Sequence, residues 1–107
     1  MDLTTLTEQL ESISSGYAQK FEIERTPDWF LLKLTEELGE LIQSYLKYIG
    51  QARTADVSQA NLKQDLEDEL ADVLGMTLLV AHNHNIDLET AIARKWLQYL
   101  REDAAEK

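Results

Sequence analysis

Apolar side chains recur every three or four positions along most of this chain, and that step is the period of an α-helix. The run near the N-terminus predicts a first helix over about residues 3–23, with a kink or break where Ser14, Ser15 and Gly16 weaken it. Its apolar positions are Leu3, Leu6, Leu10, Ile13, Tyr17 and Phe21. No stretch alternates convincingly as a strand would, and no repeat is present, so the pattern predicts an all-α fold of four helices.

The second helix is predicted from the residues at its two ends. Thr26 can cap its start, and Pro27 suits the first turn because it lacks an N–H group. Gly50 favours a stop after about Ile49. A helix between these signals would span about 35 Å.

A polar connection over residues 51–58 follows and is expected to be a mobile loop. Either Asp56 or Ser58 is expected to cap a third helix over about residues 59–83. Asn85 is a plausible left-handed residue just beyond its end.

Asp87 is expected to cap a fourth helix over about residues 88–104, and the tail over residues 102–107 is expected to fray. The predicted buried stripe of this helix comprises Leu88, Ile92, Trp96, Tyr99 and Leu100. At 107 residues the chain is predicted to form a single domain, small enough for association with further copies to help it.

Carboxylates interrupt the apolar faces of the second and third helices. Glu36, Glu37 and Glu40 share one side of the second helix, because residues three and four apart lie on one face. Glu69 and Asp72 are neighbours on the third helix in the same way. Acidic side chains are rarely buried unless they are paired or bind a metal. Two such helices packed face to face would form a cup of four or five carboxylates, suited to a hard divalent cation.

Each acidic stretch also contains a glycine inside the helix, Gly39 or Gly75. A mid-helix glycine is about 1 kcal/mol less favourable than alanine, so we expect a close approach of the two helices that brings the carboxylates together. The alternative is a solvated acidic face, which is the usual state of acidic residues on helices. The chain would then be a non-catalytic helical dimerisation or regulatory module.

Composition narrows the classes of function. Acidic residues outnumber basic ones by 20 to 10, and the resulting formal charge of −10 disfavours nucleic-acid binding. The absence of cysteine excludes thiol catalysis and Cys-ligated zinc, and it fits a reducing cytoplasm. The N-terminus has no signal-peptide pattern and no apolar run is long enough to span a bilayer. We therefore expect a cytoplasmic protein without a membrane partner.

Oxygen-only ligands favour Mg²⁺, with Mn²⁺ as a substitute, over zinc. Bound Mg²⁺ is usually completed by water and substrate phosphates, so the cluster predicts metal-assisted attack of water on phosphorus. A di-iron carboxylate bundle is disfavoured, because it needs Glu three residues before each His. Leu79 and Ala81 stand there, before His82 and His84.

The two acidic stretches also resemble a known signature. Glu36-Glu37-Leu38-Gly39-Glu40 followed by Glu69-Leu70-Ala71-Asp72 is similar to the Glu-Glu-x-x-Glu and Glu-x-x-Asp motifs of MazG-like nucleoside triphosphate pyrophosphohydrolases. The stretch from Ile86 to Lys95 resembles the start of that family's last helix. The resemblance covers about residues 27–96 and is nearest to short single-domain members, including dCTP pyrophosphatases.

The resemblance implies a four-helix bundle completed by dimerisation, as a homodimer or a dimer of dimers. It implies Mg²⁺-dependent hydrolysis of a ribo- or deoxyribonucleoside triphosphate to the monophosphate and pyrophosphate, in a house-cleaning role. Glu37, Glu40, Glu69 and Asp72 would be the metal ligands. Glu36 would be a further ligand or the base that activates water, and Lys95 would contact phosphate.

Two more residues are candidates for substrate binding by position alone. Trp29 lies about two turns before the carboxylates and could stack on a base, although packing in the core or at a subunit interface is the stronger alternative. Lys33 lies one turn before Glu36 and could reach a phosphate, or it could simply extend along the helix surface.

Overall fold

The computed structural model describes residues 1–100 and contains helices only. They are α1 (Leu3–Lys20), α2 (Pro27–Tyr48), α3 (Gln59–Asn83) and α4 (Leu88–Ile92), and α4 continues into a π-helical turn over Ala93–Leu97. The described residues include no strand, so the predicted all-α, four-helix architecture is confirmed. The predicted fraying tail, and the predicted extension of the last helix to residue 104, lie outside the described residues.

Every α-helix begins at a side chain that accepts a hydrogen bond from the backbone N–H three residues later. The caps are Asp2, Thr26, Ser58 and Asp87, at donor–acceptor distances of 2.7, 3.1, 3.2 and 3.2 Å. Ser58 rather than Asp56 therefore starts α3. The predicted left-handed residues at the ends of α2 and α3 are also found, with φ of 79° at Gly50 and 56° at Asn85.

The first helix differs from prediction at two points. It ends at Lys20, because Glu22 adopts φ 55° and the Ile23 N–H bonds to the Ala18 carbonyl at 2.8 Å. It is also continuous through Ser14–Gly16, where a kink was expected. One interior glycine weakens a helix by only about 1 kcal/mol, and contacts from the following segment support this turn.

Arg25 supplies those contacts and ties α1 to α2. Its guanidinium donates two hydrogen bonds to the Glu11 carboxylate, at 2.6 and 3.1 Å, and one to the Ser14 hydroxyl at 3.2 Å. It also lies 5.1 Å from the centroid of the Phe30 ring. The hydrogen bond from Arg25 lowers the pKa of Glu11, so this pair is charged on both sides and fixes how α2 leaves the connection.

The principal packing is between α2 and α3, and α1 packs against α3 as well. The two long helices run antiparallel, since residues late in α2 share a groove with residues early in α3. The buried apolar side chains are Ala18, Phe30, Leu62, Leu78, Leu79 and Ala81. None of these side chains belongs to the acidic stretches, and on α3 they lie before Glu69 and after Asp72.

The glycines do not produce that packing. An alanine Cβ at Gly39 would meet no atom within 4 Å, and one at Gly75 would meet only the Leu10 side chain of α1, at 3.8 Å. The predicted close approach of α2 and α3 through these glycines is therefore wrong for the described chain.

The predicted buried stripe of the last helix is also wrong. Leu88 is half-buried, but Ile92, Trp96, Tyr99 and Leu100 are exposed, with Trp96 at 67%. The periodicity correctly marks one apolar face. Within residues 1–100, however, too little of the rest of the chain lies against that face to bury it.

Candidate metal centre and adjoining groove

Four carboxylates from α2 and α3 converge where the two helices pack. Glu37 and Glu40 lie one turn apart on α2, and Glu69 and Asp72 lie one turn apart on α3. Each of the four side chains offers one carboxylate oxygen, and these four oxygens all lie within 4.8 Å of one another. The four residues that the sequence predicted as metal ligands are thus brought together by the fold.

Electrostatics inside the cluster are unfavourable without a cation. Glu37 Oε2 and Glu69 Oε2 are buried and have no hydrogen-bond partner among the described residues. Burial and the neighbouring carboxylates Glu40, Asp72 and Glu69 raise the pKa of Glu37 to about 7. Burial, followed by the charges of Glu40 and Asp72, also raises the pKa of Glu69. Two buried oxygens without partners are what a bound cation would satisfy.

The donor set fits a hard divalent ion. All four groups are carboxylates, and oxygen ligands suit Mg²⁺ or Mn²⁺. The residues present could therefore hold Mg²⁺, and they lack the His or Cys that zinc would prefer.

Glu36 lies beside this cluster rather than in it. Its Oε1 accepts a hydrogen bond from Lys33 Nζ at 3.0 Å, and its side chain is 54% exposed. The hydrogen bond to Glu36 raises the pKa of Lys33. The two residues predicted as base and phosphate ligand are thus paired with one another.

The other two residues predicted to bind substrate, Trp29 and Lys95, lie outside the four-carboxylate cluster. Trp29 is half-buried at the start of α2 and packs edge-on against Phe30, with ring centroids 5.1 Å apart. This contact matches the packing alternative. Lys95 is exposed in the π-helical turn, on a different element from the four carboxylates. Such turns often occur at functional sites, and nothing in the apolar period predicts one.

A groove that the sequence reasoning missed adjoins the cluster. It has a volume of about 340 Å³. Its lining residues are Glu40, Gln43, Ser44 and Lys47 on α2, with Asp65, Asp68 and Glu69 on α3. A signal existed, because Ser44 and Lys47 follow Glu40 by four and seven residues and so share its helix face. Both residues lie beyond the acidic motif on α2, and no function was predicted for them from the sequence.

The family model for the MazG nucleotide pyrophosphohydrolase domain matches residues 25–98, well over half of the chain. The chain belongs to the MazG family. The resemblance seen in the two acidic motifs is thereby confirmed. Both motifs of this MazG domain lie inside the matched region, as does every residue of the four-carboxylate cluster.

Comparison with curated proteins and with solved structures returned no match. The MazG domain is therefore characterised through its family and its own geometry. None of the helices within residues 1–100 combines the length and apolar character needed to cross a membrane.

Proposed function

We propose that this MazG domain hydrolyses nucleoside triphosphates to the monophosphate and pyrophosphate, with Mg²⁺ as cofactor and Mn²⁺ as a substitute. One observation carries the proposal. Four carboxylates of a nucleotide pyrophosphohydrolase domain converge within 4.8 Å, and two of their oxygens are buried without partners. A site of this kind suits a cation that binds the phosphates of a substrate.

Glu37, Glu40, Glu69 and Asp72 would hold the metal. A bound divalent cation would offset phosphate charge and lower the pKa of a coordinated water. In the net reaction, the oxygen of one water molecule bonds to phosphorus and the bridge between the α- and β-phosphates breaks. The water oxygen ends in one product and the bridging oxygen in the other, and the released proton passes to a base.

Glu36 is proposed as that base, because its exposed carboxylate adjoins the cluster without belonging to it. Lys33, which donates a hydrogen bond to Glu36, is proposed to lie near the phosphates of the substrate. Lys95 is proposed to contact a phosphate, as the family resemblance implies. Trp29 is proposed to contact the base because of its position at the start of α2. Clearance of surplus or non-standard nucleotides in the cytoplasm is the proposed role.

The test is pyrophosphate release from a panel of ribo- and deoxyribonucleoside triphosphates with Mg²⁺. Glu69→Gln keeps the side-chain shape and removes a ligand charge, so we expect turnover to fall at least about 100-fold. Glu67→Gln, an exposed acid two residues away, is the matched control and should behave as wild type. Calorimetric titration of Mg²⁺ into each variant gives a second readout that needs no turnover.

The outcomes separate the candidate functions. Orthophosphate instead of pyrophosphate would mean that a different bond is broken. Equal Mg²⁺ binding by wild type and Glu69→Gln, without hydrolysis of any nucleotide, would favour the non-catalytic helical module. The buried Glu37 Oε2 and Glu69 Oε2 argue against a fully solvated acidic face, because both oxygens are removed from solvent.

We also propose that the protein is a homodimer or a dimer of dimers. Large apolar side chains follow one stripe of α2 at steps of three, four and seven, and all of them are roughly half exposed. They are Leu31, Leu38, Ile42 and Tyr45 on α2, with Ile49 at its C-cap. Leu70 and Leu74 are exposed in the same way on α3. A stripe with this spacing suits packing against another helix, and a second copy offers the same stripe.

A further inference from the structure

We propose that Lys47 is a substrate-binding residue whose ammonium group contacts a phosphate of the nucleotide held at the carboxylate cluster. The inference rests on the proposed pyrophosphohydrolase function and adds to it. It assigns a role to the groove between α2 and α3, which none of the motif residues explains. It also places the phosphate end of the substrate towards the C-terminal half of α2.

The groove opens directly from the cluster. Glu40 and Glu69 belong both to the four carboxylates and to the groove lining. A phosphate chain bound through a cation at the cluster would therefore have the groove as immediate free space. Lys47 lies seven residues beyond Glu40 on the same helix face, about 10 Å along the axis. A four-carbon side chain covers much of that distance.

Charge distinguishes Lys47 from the rest of the lining. Four of the seven lining residues are acidic, and Lys47 is the basic one. A nucleoside triphosphate concentrates its charge on the phosphates, whereas its base and sugar are neutral. Of the groups in such a substrate, the phosphates are those that an ammonium group attracts most strongly.

Lys47 is also free to make this contact. In the described part of the chain it forms no ion pair, although Asp65 and Asp68 line the same groove. Lys33, the cation on the opposite side of the cluster, is already engaged with Glu36 at 3.0 Å. Lys47 is thus the cation of this groove that retains its full capacity for an added anion.

The groove floor is built for polar contacts. Ser44 is 9% exposed and is the buried polar residue of the described core. It lies on α2 and lines the groove beside Gln43. Hydroxyl and amide groups at this position supply neutral hydrogen bonds to the rest of the substrate, while Lys47 supplies the charge.

The test compares Lys47→Met with Lys47→Arg and with Lys63→Met. Lys63 is exposed on α3 and lies outside both the cluster and the groove, so its variant should match wild type. KM and kcat are measured with the best nucleotide, and inorganic pyrophosphate and the nucleoside monophosphate are each titrated as product inhibitors. Loss of a hydrogen bond to a charged group corresponds to about a tenfold or greater change.

We expect KM of Lys47→Met to rise about tenfold or more, with a smaller change in kcat, while Lys47→Arg stays within about threefold of wild type. Weaker inhibition by pyrophosphate would place Lys47 at the leaving phosphates. If inhibition by the nucleoside monophosphate weakens instead, Lys47 contacts the α-phosphate. Unchanged KM and unchanged inhibition by both products would overturn the inference while hydrolysis by wild type stood. A wild type that releases no pyrophosphate would instead refute the proposed function itself, together with this role.

Discussion

At the scale of single residues, Glu37 carries the largest perturbation in the described chain. Its carboxyl group is pushed towards the neutral form by burial and by three further carboxylates, so its pKa rises to about 7. A metal ligand must be ionised to bind. The packing that assembles the site therefore favours a proton on Glu37 in the metal-free protein. A cation has to displace this proton when it binds.

This perturbation predicts how the stability of the metal-free protein depends on pH. The unfolded chain releases the Glu37 proton near pH 4.5, whereas the folded chain keeps it up to about pH 7. The contribution of Glu37 to the free energy of unfolding is therefore fully present below about pH 4.5 and is lost as the pH rises through about 7. One pKa unit corresponds to about 1.4 kcal/mol, and solvent screening reduces this, so we expect wild type to lose about 1–2 kcal/mol between pH 5 and pH 8.

Urea unfolding with a chelator present, at pH values between 5 and 8, measures this dependence. Glu37→Gln removes the group with the largest shift and should reduce the slope of the profile, whereas Glu67→Gln should keep the wild-type slope. Added Mg²⁺ should reverse the trend in wild type, because it stabilises the ionised cluster. A Glu37→Gln profile as steep as that of wild type would show that another group is responsible.

At the scale of elements, the helix ends were the most predictable part of the chain. Capping depends on residues within one turn, so Thr26, Gly50, Asn85 and Asp87 could be assigned from the sequence alone. The end of α1 could not, because Glu22 takes a left-handed conformation that its residue type does not favour.

The start of α3 yields a prediction, since two residues were plausible caps and one is used. Ser58 accepts from the Asn61 N–H at 3.2 Å. Ser58→Ala should therefore lower the free energy of unfolding by about 1 kcal/mol. Asp56→Ala, in the same connection, should change it by less than about 0.5 kcal/mol. Chemical denaturation of the three proteins side by side measures both, and equal losses would mean that Asp56 shares the capping role.

The candidate site was predictable to the same extent as the helix faces. Spacing shows that Glu37 and Glu40 share a face, and that Glu69 and Asp72 do. The motif resemblance paired these faces, and the fold confirms that they meet. Spacing does not reveal how a long side chain is oriented, so the Lys33–Glu36 pair was missed. Spacing places Ser44 and Lys47 on the helix face of Glu40, but the groove itself exists only once α2 and α3 are packed together.

At the scale of the whole molecule, the described chain is more open than a monomer of its length should be. Its radius of gyration is 17.4 Å and its extents are 52 × 41 × 25 Å, whereas a compact domain of 100 residues has a radius of gyration of about 13 Å. The misassigned stripe on the last helix has the same origin. An apolar face predicted to be buried is exposed here, because too little of the described chain lies against it.

The proposed self-association can be tested on the stripe of α2. Ile42, 57% exposed, lies in the middle of that stripe. Burying a charge between two helices is strongly unfavourable, so Ile42→Glu should weaken association at least about 100-fold. Wild type should sediment with two or four times the monomer mass at micromolar concentration, and Ile42→Glu as a monomer.

Gln64→Glu adds the same charge at an exposed position of α3 outside the stripe, and it should sediment as wild type. A monomeric wild type would exclude the oligomer. An Ile42→Glu protein that still sediments as a dimer would move the interface to another exposed apolar face, such as that of the last helix. Because oligomer formation buries half-exposed leucines and isoleucines, the stability of wild type should also rise with protein concentration, and that of Ile42→Glu should not.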